Sequence, residues 1–134
     1  MKSLKYSYDF IVFPQNLNNL GTLFGGVLLS HMDIAAATLA RKALYGTDSD
    51  GAVTASMDKV NFNAPSFVND LIRIDCEIKK FGRTSFEIRA KVHKETPRGE
   101  EVKICDANFT FVAMKDKKPF VHHLSFEQFE INER

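Results

Sequence analysis

From Val27 to Ala40 the chain carries one formally charged side chain, Asp33, and one further titratable group, His31. The stretch has no proline and is rich in Ala, Leu and other strong helix formers, so it predicts a helix from about Gly25 to Leu44. Arg41 and Lys42 fall in its last turn, where cations suit the helix dipole, and Gly46 supplies a stop. Apolar residues lie on every side of this helix. A helix of that kind must be surrounded rather than laid on a surface, and the rest of the chain has to do the surrounding.

The rest reads as strands. Lys5 to Phe13 alternates and is closed by Pro14, and the Asn-rich segment from Gln15 to Gly21 reads as a loop. Further strands are expected over Ala52 to Phe62, Leu71 to Phe81, Thr84 to His93 and Glu101 to Met114. Ile72, Ile74, Cys76 and Ile78 alternate with Arg73, Asp75, Glu77 and Lys79, the mark of a sheet with one dry and one wet face. In the last strand Phe109 and Phe111 fall on one face and Val112 and Met114 on the other, as expected near a subunit interface. The expected fold is α+β, a single domain over residues 1–134 in which a curved antiparallel sheet wraps one long buried helix. The tail from Phe120 to Arg134 is left unassigned, with His122 and His123 read as exposed.

A length of 134 residues and a net charge of +1 suit one globular domain and lack the basic footprint of a nucleic-acid binder. No apolar run approaches the ~20 residues of a membrane span, and Met1 to Asp9 is too polar for a secretory leader. Cys76 and Cys105 sit in apolar runs without metal or redox spacing, so they are expected as buried free thiols in a cytoplasmic protein. His31, His93, His122 and His123 make no metal-ligand set, and no nucleotide-binding glycine fingerprint is present. His31 is expected to be a packed or hydrogen-bonded histidine.

Burying an unpaired carboxylate costs several kcal/mol, so Asp33 must be partnered, reach water or serve chemistry. The segment Gly21-Thr22-Leu23-Phe24-Gly25-Gly26 runs into the helix start. Adjacent glycines there leave room for a substrate against the backbone, and the free N–H groups of the first turn form a donor site for an anion or a developing oxyanion. Gly26 and Asp33 are two turns apart on nearly the same face, about 10 Å along the axis. One reacting carbonyl cannot touch both, because reacting atoms must approach to ~3–3.5 Å. If the two act together, an antiparallel second copy of the helix must bring its Asp33 to the first copy's glycines, giving a two-fold dimer with two equivalent sites.

The stretch Asn18-Asn19-Leu20-Gly21-Thr22-Leu23-Phe24-Gly25-Gly26-Val27-Leu28-Leu29-Ser30-His31-Met32-Asp33 resembles the N-x-x-G-T-x-F-G-G-x-x-L-x-x-M-D signature of hotdog-fold acyl-CoA thioesterases, specifically the YciA-like group. The blocks Val53 to Phe62 ahead of Ala64-Pro65, Gly82-Arg83-Thr84-Ser85, and Ala107 to Met114 extend the likeness. The resemblance implies a hotdog domain that forms homodimers, often joined as hexamers, and hydrolyses acyl-CoA without a cofactor. It implies that Asp33 acts as general base or nucleophile. It also implies that Asn18 orients water or the thioester from the partner subunit, and that the Gly25 or Gly26 N–H polarises the carbonyl. The sequence departs from the family at His31, where Trp is frequent, and at Asn69-Asp70, where Gly-Asp is usual.

For the CoA phosphates, Arg83 is the favoured cation, followed by Lys59, Lys79, Lys80, Lys94 and Arg98, while Thr84 and Ser85 suit the pantetheine amides. Phe24 and Phe62 are candidates for the acyl pocket. Two other readings stand beside hydrolysis. A hotdog dehydratase or hydratase would need an acid–base pair, usually with His, where this chain has Asn18. A non-catalytic acyl-CoA-binding module would have no use for Asp33.

Overall fold

The inward-facing residues of the central strands set the architecture. Ile72, Ile74, Cys76 and Ile78 on one strand and Phe86, Ile88, Ala90 and Val92 on the next are all buried, and their partners on the alternate positions face outward. The computed structural model describes residues 2–130, with short β1 (Lys2–Ser3), β2 (Lys5–Ile11), α1 (Gly25–Ala43), β3 (Gly51–Phe62), β4 (Leu71–Phe81), β5 (Ser85–Glu95), β6 (Glu101–Lys115), β7 (Lys118–Pro119) and β8 (Phe129–Glu130). The main sheet runs in the order β2-β4-β5-β6-β3, antiparallel throughout, with β7 folded back on β6. It curls around α1, whose Leu28, Met32, Ala35, Ala36, Leu39 and Ala43 enter the core against Phe109, Phe111 and the inward residues of β4 and β5. This is the hotdog arrangement expected from the sequence.

Strand ends differ slightly. Phe13 leaves β2 because Pro14 opens a short 3-10 turn over Pro14–Asn16, and β5 runs two residues past His93. On β6, Phe109 and Phe111 are fully buried while Val112 and Met114 are half-buried on the opposite face.

Two expectations are corrected. The helix is not enclosed by its own chain: Gly26, Ser30, Ile34 and Arg41 form an exposed stripe, with Ile34 55% accessible. One sheet cups one side of a helix, and a segment apolar all round cannot tell its own sheet from a second molecule. Nor is His122 part of an exposed tail. It is buried, its Nδ1 accepts the Leu124 N–H (2.9 Å), and its Nε2 donates to the Ser85 carbonyl (2.8 Å). Phe81, Phe126 and Phe129 pack together, and β8 pairs with β1, tying this segment to the body of the domain. His123 is exposed as expected, and residues 131–134 of the unassigned tail lie outside the described residues.

Candidate functional site

The approach to the helix is built by Asn18. Its Oδ1 accepts the N–H groups of Leu20 (2.9 Å) and Thr22 (3.1 Å), its Nδ2 donates to Thr22 Oγ1 (2.9 Å), and its own N–H donates to the Thr22 carbonyl (2.8 Å). The loop turns through Gly21 at φ +82°, a conformation that favours glycine. Asn18 is half-buried and committed to this loop, so it shapes the chain that leads into α1.

Phe24 is the N-cap of α1 in an extended conformation and offers no side-chain cap, and no acidic residue stands in the first turn. Leu28 N–H makes the first helical bond, to the Phe24 carbonyl (3.1 Å). The N–H groups of Gly25, Gly26 and Val27 therefore have no intrahelical acceptor and carry the positive end of the dipole. Two rings flank them. A Cβ on Gly25 would lie 3.5 Å from the Phe62 ring, and one on Gly26 would lie 3.0 Å from the Phe24 ring. Both rings are about half exposed, Phe24 at 53% and Phe62 at 55%. Phe62 reaches Gly25 because β3 is bulged between Asp58 and Asn61, where Lys59 takes φ +51°.

Asp33 lies at the border between the buried face of α1 and the exposed stripe. Its Oδ1 accepts the Thr54 hydroxyl at 2.7 Å, and among the described residues no cation pairs with it. Thr54 is opposite Phe111, which is opposite Phe86, so this rung carries Asp33 toward the end of the sheet where β4 turns into β5. That turn holds Arg83, Thr84 and Ser85 about two strand spacings, roughly 10 Å, from β3. The Thr84 carbonyl accepts Ala113 N–H (2.8 Å), the Arg83 carbonyl accepts His122 N–H (3.3 Å), and a Cβ on Gly82 would sit 2.5 Å from Ser85 Oγ and turn that hydroxyl aside. Arg83 is exposed.

Within one chain the predicted residues thus form two groups. Asp33 and the Arg83–Ser85 turn lie toward one end of β3. Gly25, Gly26, Phe24 and Phe62 lie at the other, the start of α1 being about 12 Å from Asp33 along the helix. Of the remaining cations, Lys79 pairs with Glu77 and Lys80 with Glu87, and Lys94 is buried against Asp70 rather than offered to solvent. His31 is the packed histidine expected: Tyr8 Oη lies 3.0 Å from its Nδ1, the Phe10 ring stacks on it at 3.9 Å, and burial lowers its pKa. Asn69 takes φ +73°, which explains why it replaces a family glycine: Asn tolerates the left-handed region better than other side-chain-bearing residues. Sequence reasoning did not single out Thr54, although it stands in the Val53 to Phe62 block. Among the described residues no group of His, Cys, Asp and Glu could hold a metal ion.

Comparison with known proteins identifies the family and the fold. The thioesterase superfamily matches residues 20–101. The acyl-CoA thioester hydrolase YciA of Salmonella typhimurium is 32% identical over 114 residues, which are 81% of this chain and 83% of that protein. A solved hexameric acyl-CoA thioesterase in its apo form superposes with a TM-score of 0.80 at 30% identity, covering 90% of this chain and 80% of its own. An acyl-CoA hydrolase from Staphylococcus aureus, solved with an Asn-to-Ala substitution and coenzyme A bound, gives a TM-score of 0.80 at 29% identity, covering 90% and 72%. The same enzyme has been solved with an Asp-to-Ala substitution fifteen positions further along. A chain with this helix start, this helix carboxylate and these relatives belongs to the thioesterase superfamily, in its YciA-like group of acyl-CoA thioester hydrolases.

Proposed function

We propose that this protein hydrolyses acyl-CoA thioesters to free CoA and a carboxylic acid, at two equivalent sites shared by two copies of the chain. The observation that carries the reading is Asp33. It is half-buried on an otherwise uncharged stretch of helix, held by one hydroxyl and, among the described residues, paired with no cation. A structural carboxylate would be paired; this one meets a single hydroxyl and stays accessible.

The start of its own helix lies too far away, so the donors must come from a second copy. Two surfaces call for one. β3 is a 12-residue edge strand with Val53 and Phe62 exposed, and an unpaired edge of that length invites a strand partner. From Gly26 through Ser30 to Ile34 the exposed stripe is uncharged, and its first charge comes only at Arg41, near the end of the helix. Antiparallel docking of two such helices sets each Asp33 against the other copy's Gly25 and Gly26. The hexameric assembly of the solved relative is the expectation for this chain as well.

In the site so formed, the thioester carbonyl oxygen accepts hydrogen bonds from the Gly25 and Gly26 N–H groups, which strengthen as the oxyanion develops. Asp33 either takes a proton from an attacking water or attacks the carbonyl itself, giving a transient anhydride that water opens. Either way the C–S bond breaks with its electron pair leaving on the CoA sulfur as thiolate, and the acyl carbon gains the oxygen of water. Asn18 holds the loop that aims the donors and orients water or thioester. Phe24 and Phe62 line the acyl side, and Arg83 with Thr84 and Ser85 receives the CoA moiety. The fifteen-residue separation of Asn18 and Asp33 equals that of the Asn and Asp substituted in the S. aureus hydrolase, which supports the pairing. The reaction needs no resident cofactor. Two buried free thiols fit a reducing cytoplasm.

The test is thiol release from a panel of short to long acyl-CoAs, followed with a thiol-trapping dye. Wild type should turn over the panel, and Asp33→Ala should lose about 10²–10⁴ in rate with its melting temperature intact. Unchanged turnover in that variant overturns the assignment.

A further inference from the structure

The inward series on β5 ends in a charge. After Phe86, Ile88, Ala90 and Val92 the next residue on the same face is Lys94, whose side chain is 8% exposed. A buried ammonium must be paired and hydrogen-bonded. Its Nζ lies 3.2 Å from Asp70, itself 3% exposed, donates to the Pro65 carbonyl at 2.8 Å, and sits 4.9 Å over the Phe67 ring. The other role of Asp70 is to accept the Phe67 N–H at 2.8 Å. All of these contacts converge on one segment, residues 63–70, which joins β3 to β4.

That segment adjoins the candidate oxyanion site through Phe62 and Leu23. It begins directly after Phe62, whose ring covers Gly25. Its Ser66 carbonyl accepts the Leu23 N–H at 2.8 Å, two residues before Gly25. At its end it is stitched to Val12, the residue that follows β2, with Val12 N–H on the Asp70 carbonyl (3.0 Å) and Asn69 N–H on the Val12 carbonyl (2.9 Å). The Ser66 hydroxyl is buried without a partner among the described residues, so the segment is held through its backbone and not through that side chain.

We infer that Lys94 and Asp70 are a positioning pair for catalysis: the buried ion pair fixes residues 63–70, and these fix the height and direction of the Gly25 and Gly26 N–H groups through Leu23 and Phe62. The inference rests on the thioesterase reading for its kinetic part and on the hydrogen-bond chain for its structural part. Neither residue touches substrate. Their loss acts on the transition state, because misaimed donors weaken the oxyanion more than they weaken binding of a long CoA chain held elsewhere.

The experiment compares wild type with the double variant Lys94→Met/Asp70→Leu. Replacing both partners of a buried pair by apolar groups of similar size tends to preserve stability, although the Phe67 N–H and the Pro65 carbonyl lose their partners, so the melting temperature of the variant is measured beside its activity. Arg73→Met, which breaks the exposed Arg73–Asp9 contact, is the control. Two readouts are taken: steady-state acyl-CoA hydrolysis, and hydrogen exchange of the Leu23 amide. The double variant should lose roughly tenfold to a hundredfold in kcat, with KM within about twofold of wild type, and its Leu23 amide should exchange faster. Lys94→Arg, which keeps a cation within reach of Asp70, should retain most of kcat. Wild-type kcat, or wild-type protection of Leu23, in the double variant overturns the proposal. A wild type inactive on every acyl-CoA would refute the thioesterase reading alone, and the exchange of Leu23 would still decide whether the pair holds the helix start.

Discussion

Thr54 on the edge strand donates its hydroxyl hydrogen to Asp33 Oδ1 at 2.7 Å, and this is the bond that links the helix carboxylate to the sheet. It leaves Oδ2 without a partner among the described residues and selects one rotamer of Asp33 out of several. A carboxylate that must meet a substrate bound by another molecule gains from that selection, since an unfixed side chain loses the approach geometry. Thr54→Val keeps the shape and removes the donor. We expect kcat to fall about tenfold, the worth of one hydrogen bond to a charged group, with KM little changed. Steady-state kinetics on one good acyl-CoA checks it.

His122 clamps the Arg83–Ser85 turn from the C-terminal segment. Leu124 N–H occupies Nδ1, so the ring hydrogen is on Nε2 and donates to the Ser85 carbonyl, while the His122 N–H donates to the Arg83 carbonyl. In His122→Ala both side-chain bonds go, and the turn that receives CoA loosens. KM for acyl-CoA should rise roughly threefold to tenfold with a lowered melting temperature, the scale of about 1 kcal/mol per lost bond. Titrating initial rates against substrate separates that rise from any change in kcat.

How much of this was readable beforehand follows from the range over which each signal acts. The bounds of α1 came from local chemistry, the glycines at its start and Arg41 and Lys42 at its end, and the strands from alternation along β4 and β5. The same alternation points Lys94 inward, yet its charge suggested a surface cation, because the carboxylate that neutralises it stands 24 positions earlier at the end of a loop. His122 reads as an exposed tail residue for a similar reason: the aromatic residues and carbonyls that bury it belong to β4, β5 and the turn between them. Hydrophobicity on every side of α1 was legible, but whether its own sheet or another molecule covers a given side is a property of the assembled surfaces.

Asp106 should set the acid limit of the fold. Hydrogen bonds from Lys103 and Asn61, helped by the Arg89 charge, hold its carboxyl at about 2 against an ordinary 3.8, despite the opposing cost of burial. A folded-state pKa below the unfolded value means that the ionised form is what folding favours. This stability is fully present above about pH 4 and is lost as pH falls through 2. Denaturant melts between pH 2 and 7 should show that loss in wild type. In Asp106→Asn, stability at neutral pH should drop by about 1–3 kcal/mol, since Lys103 and Arg89 lose their counter-charge, and the acid dependence should flatten.

The thiol assay itself makes a prediction about the core. Burial pushes the Cys76 thiol up to about 12 and the Cys105 thiol to about 11, with the neighbouring Asp75 and Asp106 charges adding to the effect. Thiolates are the reactive species, so neither side chain should react with a trapping dye at pH 8 in the folded protein. Denaturation should release both. A folded protein that consumes dye without substrate would show that the inner face of the sheet opens readily.

Gly25 offers the sharpest separation of folding from function. A Cβ there would meet the Phe62 ring at 3.5 Å, an ordinary contact, and its backbone is helical without positive φ. Alanine in place of glycine favours the helix by up to about 1 kcal/mol. The same methyl group stands beside the free N–H groups to which a thioester carbonyl must come within about 3 Å. Gly25→Ala should therefore melt at or slightly above the wild-type temperature and yet lose about tenfold or more in kcat/KM, a cost in approach geometry. At Gly26 the added carbon would lie 3.0 Å from the Phe24 ring, so Gly26→Ala must also move that ring, and a further loss should appear as altered preference along the acyl-chain series. If Gly25→Ala gained stability and kept full activity, the helix start would not be the carbonyl site.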